Sequence, residues 1–196
     1  MSDDGPTISP AFLASTQPVV LVGGKSRRYG RDKLVETWNG RMLVEHPINA
    51  LRSVFGNRVS VVGACDPRIP GLADGVIQDR YAGVGPIGGI TSALESGPAS
   101  IFVLAGDMPS VSRPDILAIV AAAERSRNIS AVLGFTDRFH PCLGMYLATA
   151  LPQLLARLEQ KKYRLGDALT ARLVLRVAVE ERTVVNINES TDQLHG

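Results

Sequence analysis

The sequence predicts an α/β fold: one domain of three α/β/α layers, Rossmann-like, with a mainly parallel sheet. Two observations support this prediction. Short apolar runs bounded by Gly, Pro or Asp are typical of buried parallel strands, and they occupy 18–22, 59–62, 75–77, 101–104 and 131–133. Longer stretches with apolar residues at helical spacing separate these runs, and such regular alternation is characteristic of a parallel sheet.

The helical stretches have recognisable starts. The first spans 43–54, with Pro47 near its first turn, where proline costs least. Apolar positions predict further helices at 90–94, 116–123 and 151–158. Ser112 is the expected N-cap of the helix that contains 116–123, with Asp115 in its first turn. A last strand is expected at 183–185.

Composition restricts the class of protein. The chain has 196 residues, 45% hydrophobic and 20% charged, as in an ordinary globular domain. A net charge of +2 without a basic run argues against nucleic-acid binding. The longest apolar runs fall short of the roughly 18 residues of a membrane span. Residues 1–17 lack signal-peptide features, so we expect a flexible tail followed by the domain at 18–196.

The two cysteines, Cys65 and Cys142, form neither a metal-ligand spacing nor a disulfide framework. We expect both to be buried or half-buried thiols. Ligands of open α/β sheets bind at the carboxyl ends of the strands. The residues that follow each expected strand therefore carry the functional information: 23–24, 63–66, 79–89, 106–107 and 186–188.

The segment 21–33 is rich in glycine and positive charge. Its glycines allow close approach of backbone N–H groups to an anion, and five cationic side chains follow within it: Lys25, Arg27, Arg28, Arg31 and Lys33. This composition predicts a polyphosphate-binding loop, with a solvated basic loop as the alternative. A Walker A motif is excluded because Val19 stands where its first glycine is required.

A second glycine-rich segment at 83–88 matches G-x-G-x-x-G, with Asp107 nineteen residues beyond Gly88. A dinucleotide-binding turn would look similar. Residues 79–82 separate this segment from the preceding apolar run, and Pro86 lies inside the motif, and both details argue against the alternative of an NAD-dependent oxidoreductase.

Residues 21–33 resemble the signature L-x-G-G-x-S-x-R-M-G-x-D-K of the molybdenum cofactor guanylyltransferases (MobA-like), departing from it at Val22 and Tyr29. Further segments are similar to that family in the same order: 34–46 to a hairpin and first helix, 77–79 and 85–90 to a second loop, 105–109 to a metal loop, then 140–141 and 186–188.

The resemblance implies a cytoplasmic, Mg²⁺-dependent nucleotidyltransferase that moves GMP from GTP to molybdopterin and releases pyrophosphate. Positioning and charge neutralisation suffice for this reaction, because the acceptor phosphate is already a nucleophile. A protein that delivers molybdopterin, or an apoenzyme that receives the product, is an implied partner. The relatives left open are a CTP-using enzyme, a nucleotide-sugar synthase and a non-catalytic nucleotide-binding protein.

The resemblance also implies roles for individual residues. Nucleotide binding falls to Leu21, Val22, Gly23, Gly24, Lys33, Asp79, Gly85 and Asp107. Arg28 and Lys33 would offset phosphate charge during catalysis, and Asp107 would hold Mg²⁺. His140, Asn186 and Asn188 would face the pterin acceptor. For Asp79, Asp107, His140 and the two asparagines, an ordinary turn or structural role is the alternative.

Two further features concern the nucleotide base. The pair Gly23-Gly24 and the segment 85–88 favour guanine, since cytidine users of the family carry an alanine first. Family members often have an asparagine after the strand at 59–62, where this chain has Gly63, Ala64 and Cys65. One nucleotide contact is therefore expected to be lost or supplied by the backbone.

Overall fold

The computed structural model describes residues 8–23 and 32–185. The helices of this part of the chain are Pro10–Ser15 (α1), Glu45–Phe55 (α2), Pro86–Glu95 (α3), Arg113–Arg125 (α4) and Leu151–Glu159 (α5). The strands are Thr16–Leu21 (β1), Thr37–Trp38 (β2), Arg41–Met42 (β3), Ser60–Val62 (β4), Gly75–Ile77 (β5), Ser100–Ala105 (β6), Ala131–Phe135 (β7), Phe139–Leu147 (β8) and Val174–Ala178 (β9). None of these helices is long and apolar enough to cross a membrane.

The main sheet has the strand order β5-β4-β1-β6-β8-β7-β9. Its central pairs, β1 with β4 and β1 with β6, are parallel, as are β4 with β5 and β7 with β9. Only β8 runs antiparallel to both of its neighbours, β6 and β7, among the strands described. The predicted α/β fold with a mainly parallel sheet is therefore confirmed.

Helices cover both faces of the sheet because successive residues of its strands point to opposite sides. On β6, Phe102 and Leu104 pack into a core with α2 and α4, whereas Ile101 and Val103 pack into a second core with α3 and α5. All four side chains are fully buried. This double burial explains why the strand is a continuous apolar run, and it gives the three-layer α/β/α arrangement.

Local sequence signals fix several helix and turn boundaries. The expected N-cap is confirmed, because the Ser112 backbone N–H donates to the Asp115 carboxylate at 2.9 Å where α4 begins. Between β2 and β3, Asn39 and Gly40 both have positive φ, of 44° and 78°, as a two-residue hairpin turn requires. The Val44 N–H donates to the Leu34 carbonyl at 3.1 Å, so this hairpin is fastened to the segment that carries Lys33.

Two expected features at the ends of the chain are wrong. The flexible tail was expected to reach Gln17, but α1 and the start of β1 lie within residues 8–17, and Phe12 and Leu13 pack against the core. The expected strand at 183–185 is instead part of a 3-10 turn, Glu181–Val184. The Thr183 N–H donates to the Glu180 carbonyl at 3.0 Å within this turn, so it does not take part in a strand ladder, and the strand propensity of the β-branched residues is overridden.

Candidate active site

A cleft of about 340 Å³ opens at the carboxyl ends of β1 and β6. It is lined by Leu21, Val22, Gly23, Lys33, Leu34, Pro86, Ala105, Gly106, Asp107, Met108, His140, Pro141 and Cys142. The structure thus brings together six residues expected from the sequence: Leu21, Val22, Gly23, Lys33, Asp107 and His140. Pro86 belongs to the segment 85–88 that the sequence linked to the base, whereas Cys142 was not expected in the site, and its position two residues after His140 was the only hint.

Backbone hydrogen bonds shape the floor of the cleft. The Val22 N–H donates to the Val62 carbonyl at 3.0 Å, and the Gly106 N–H donates to the Leu21 carbonyl at 2.9 Å. These bonds continue the β1 pairing on both sides just beyond the strand itself. The backbone of Leu21 to Gly23 is therefore held rigidly where a ligand at the sheet edge would meet it.

Gly23 and Gly63 lie in close backbone contact beside this floor. A Cβ on Gly63 would fall 2.4 Å from the Gly23 nitrogen, and Gly63 has a φ of +119° that favours glycine. The asparagine that relatives often carry after this strand does not fit at position 63 without backbone movement. This departure from the family pattern is therefore a packing feature of the present chain.

The Lys33 ammonium and the Asp107 carboxylate form an ion pair across the cleft, with Nζ and Oδ2 separated by 2.6 Å. Their side chains are 19% and 18% exposed, so the pair is mostly shielded from water but reachable from the cleft. Lys33 begins a 3-10 turn that Asp32 caps, and Asp107 lies two residues beyond β6. A cation and a carboxylate so placed can separately bind a phosphate and a metal ion.

His140 lines the cleft wall and is hydrogen-bonded to Thr136, with Nε2 and Oγ1 at 2.8 Å. Burial, followed by the positive charge of Arg138, lowers the pKa of His140, whereas Asp137 partly offsets this effect. The ring is therefore neutral at physiological pH. His140 can exchange hydrogen bonds with a ligand there, but it does not supply a permanent positive charge.

Cys142 lines the same wall without being a reactive thiol. Burial, together with a smaller effect of the nearby Asp107 carboxylate, raises the pKa of Cys142 to about 12. A thiol with such a pKa is protonated at neutral pH and is a poor nucleophile. The expectation of a half-buried structural thiol is confirmed for both cysteines.

Asp79 and Gly85 lie outside the lining of the cleft. The Asp79 carboxylate accepts the Tyr81 N–H at 3.0 Å and faces the Ser92 hydroxyl at 3.4 Å, which is the arrangement of a turn aspartate. Gly85 caps α3 with a φ of 83° and precedes Pro86, which does line the cleft. A nucleotide contact for either residue stays a prediction.

Four expected site residues, Gly24, Arg28, Asn186 and Asn188, lie outside the described residues.

The dinucleotide-binding alternative at 83–88 lacks its tight turn, because β5 ends at Ile77 and α3 begins only at Pro86.

Asp107 is the carboxylate among the described residues that line the cleft, and a single carboxylate fits Mg²⁺. Residues 8–23 and 32–185 contain no cluster of three or more His, Cys, Asp or Glu side chains able to hold a metal. A closed zinc site would need such a cluster. Asp107 alone, facing a cleft with room for phosphate oxygens and water, matches the one or two carboxylates that Mg²⁺ uses with a nucleotide.

The fold and this cleft define a class: α/β proteins with a cleft at the carboxyl edge of the sheet and a cation–carboxylate pair in it. Within that class, residues 18–177 match the MobA-like NTP transferase domain. The chain belongs to this family and is a nucleotidyltransferase.

Named relatives support this assignment. A probable molybdenum cofactor guanylyltransferase of Opitutus terrae is 31% identical, over 89% of this chain and 91% of its own. One of Pyrococcus horikoshii is 34% identical, over 76% and 79%. The crystal structure of molybdopterin-guanine dinucleotide biosynthesis protein A from Archaeoglobus fulgidus superposes with a TM-score of 0.70, at 27% identity, covering 90% of this chain and 94% of that one.

Proposed function

We propose that this chain transfers GMP from GTP to molybdopterin and releases pyrophosphate, giving the guanine dinucleotide form of the molybdenum cofactor. The observation that carries the proposal is the Lys33–Asp107 pair in a cleft bordered by the rigid backbone of Leu21 to Gly23. The names of the two curated relatives and of the Archaeoglobus protein support the choice of substrates.

In this reaction, an oxygen of the molybdopterin phosphate attacks the α-phosphorus of GTP. The bond from the α-phosphorus to the oxygen that bridges it to the β-phosphate breaks, and pyrophosphate leaves with that electron pair. No protein nucleophile is required, which agrees with the protonated state of Cys142. The residues of the cleft serve to bind, orient and neutralise charge.

Lys33 and Asp107 have complementary roles in the proposal. The Lys33 ammonium binds phosphate oxygens and offsets the charge that develops on them. Asp107 would hold Mg²⁺, which supplies further charge neutralisation on the phosphates when bound. Because each side chain is the other's partner at 2.6 Å, a nucleotide and a metal ion bound there would compete with this ion pair. Arg28 would assist Lys33.

Guanine selection rests on the absence of side chains around the base. Gly23 already packs on Gly63, so the base would meet the backbone of Leu21 to Gly23 there. His140, which lines the cleft and whose pKa is lowered, would lie on the acceptor side. Asn186 and Asn188 would complete that side. We further propose a molybdopterin-delivering protein or a recipient apoenzyme as partner.

Calorimetric titration of the protein with GTP, CTP and ATP, each with and without Mg²⁺, tests the nucleotide part of the proposal. We expect GTP to bind selectively, and more tightly with Mg²⁺. A preference for CTP would retain the chemistry and make the enzyme a molybdopterin cytidylyltransferase. Failure of every nucleotide to bind would overturn the proposal in favour of a protein without turnover.

A further inference from the structure

A carboxylate inside the basic segment 21–33 is unexpected next to a site for polyphosphate, because negative charge there repels the ligand. Asp32 is that carboxylate, directly before Lys33. Both of its oxygens are occupied by backbone N–H groups. Oδ1 accepts the Leu34 N–H at 3.1 Å, and Oδ2 accepts the Asp66 N–H at 3.1 Å.

The first of these bonds acts within the segment. It caps the 3-10 turn that begins at Lys33 and so fixes the backbone from which the Lys33 side chain extends. The second bond reaches a segment far away in the chain, residues 63–66, which follows β4.

Residues 63–66 also hold the other end of the glycine-rich segment. The chain enters residues 24–31 from Gly23, which packs on Gly63, and returns at Asp32, which is bonded to Asp66. The four residues after β4 thus contact both Gly23 and Asp32. Pro67 favours extended backbone at Asp66, which helps to hold its N–H in place.

We infer that Asp32 is a positioning residue for nucleotide binding: it clamps residues 32–34, and with them Lys33, to residues 63–66. The role in nucleotide binding rests on the proposed function, whereas the two hydrogen bonds of the clamp are observed independently of it. A carboxylate suits this role because it accepts two N–H groups through two oxygens. An asparagine offers one acceptor oxygen, so one of the two bonds is lost whichever way its amide lies.

The test compares Asp32→Ala, Asp32→Asn and the matched control Asp66→Ala. The control removes a neighbouring carboxylate and its ion pair with Arg68, yet it keeps the backbone N–H that Asp32 accepts. Hydrogen exchange at positions 34 and 66, measured without nucleotide, reports the clamp. The effect of the clamp on nucleotide binding is measured in two ways. Calorimetry uses the nucleotide that the wild type binds, and kinetics give the KM values for nucleotide and acceptor.

We expect exchange at both positions to quicken in Asp32→Ala, at one of them in Asp32→Asn, and at neither in the control. Nucleotide affinity should fall by about tenfold in Asp32→Ala and less in Asp32→Asn, with the nucleotide KM rising in parallel and the acceptor KM unchanged. A purely structural role would reduce active protein and leave both KM values unchanged.

Unchanged exchange in Asp32→Ala, or in Asp32→Asn where the alanine variant does not fold, would overturn the clamp. Faster exchange with unchanged nucleotide affinity would overturn the positioning role while leaving the proposed function intact. A wild-type protein that binds no nucleotide would overturn the proposed function and the positioning role together. Hydrogen exchange at positions 34 and 66, compared between the wild type and the Asp32 variants, would still decide whether the clamp exists.

Discussion

The Lys33 ammonium and the Asp107 carboxylate meet at 2.6 Å although 74 positions separate them in the chain. The β1–β6 pairing brings them together, since both residues follow these adjacent parallel strands at the same edge of the sheet. In this pair the Lys33 charge proposed to bind phosphate and the Asp107 charge proposed to bind the metal neutralise each other. A Mg²⁺–nucleotide complex offers each side chain a new partner of opposite charge, so metal and nucleotide are expected to bind cooperatively.

Asp107→Asn should reduce metal-dependent turnover by at least about 100-fold, because the amide cannot provide the negative charge that holds the metal. Thermal stability should change little, since the amide can still bond to Lys33. Pyrophosphate release measured across a Mg²⁺ series checks this. Glu180→Gln is the matched control, because Glu180 also pairs with a cation at 2.6 Å, Arg182, on the surface outside the cleft lining. Unchanged turnover in Asp107→Asn would refute the metal assignment.

Lys33→Met should weaken GTP binding by at least about tenfold, because the methionine keeps the length of the side chain and removes its phosphate-binding charge. The exposed Lys162 gives the control Lys162→Met, which we expect to bind GTP like the wild type. Calorimetry in the presence of Mg²⁺ measures both. Equal affinities in the two variants would remove Lys33 from the phosphate site.

Gly63→Ala should destabilise the protein by about 1–3 kcal/mol, because the new Cβ meets the Gly23 nitrogen and position 63 has positive φ. Gly63→Asn, which restores the side chain common in relatives, should be at least as harmful. Gly71→Ala is the control, since no atom lies within 4 Å of its added Cβ. Urea unfolding gives the free energies. A stable Gly63→Asn variant with improved nucleotide binding would contradict the packing explanation.

Stability should depend on pH through His140. Its pKa is lowered below the ordinary value of 6.5 in the folded protein, so the unfolded chain takes up its proton first as the pH falls. The wild type should therefore lose stability relative to His140→Gln as the pH falls through 6.5, and the loss should level off below the folded pKa. Urea unfolding at several pH values measures this difference. A difference that stays constant with pH would show that His140 is not desolvated.

Much of the fold follows from local patterns because the central strands are buried on both faces. Ile101 to Leu104 is apolar throughout, and its strand is found where the sequence predicts it. Two strands were not predicted. β8 contains Pro141 and Gly144, which weaken strand propensity, and β9 is a half-exposed edge strand carrying Arg176. Their positions depend on pairing with distant strands, which local patterns do not reveal.

The candidate site was predictable where one motif follows one strand. Lys33 and Asp107 each belong to such a motif, and the sheet edge brings them together. Asp32 was part of the same motif but received no role, because its function depends on a contact with Asp66 that only the folded chain shows. Cys142 was missed for a similar reason, since it lines the cleft through the antiparallel β8.

The transfer of label from GTP carrying radioactive α-phosphate is the most direct test of the proposed reaction. The protein is incubated with labelled GTP, molybdopterin and Mg²⁺, with labelled CTP in a parallel reaction, and products and pyrophosphate are quantified. We predict one labelled molybdopterin dinucleotide and one pyrophosphate per GTP consumed, with neither formed by Asp107→Asn. Label transferred from CTP but not GTP, or no pyrophosphate from the wild type, would contradict it.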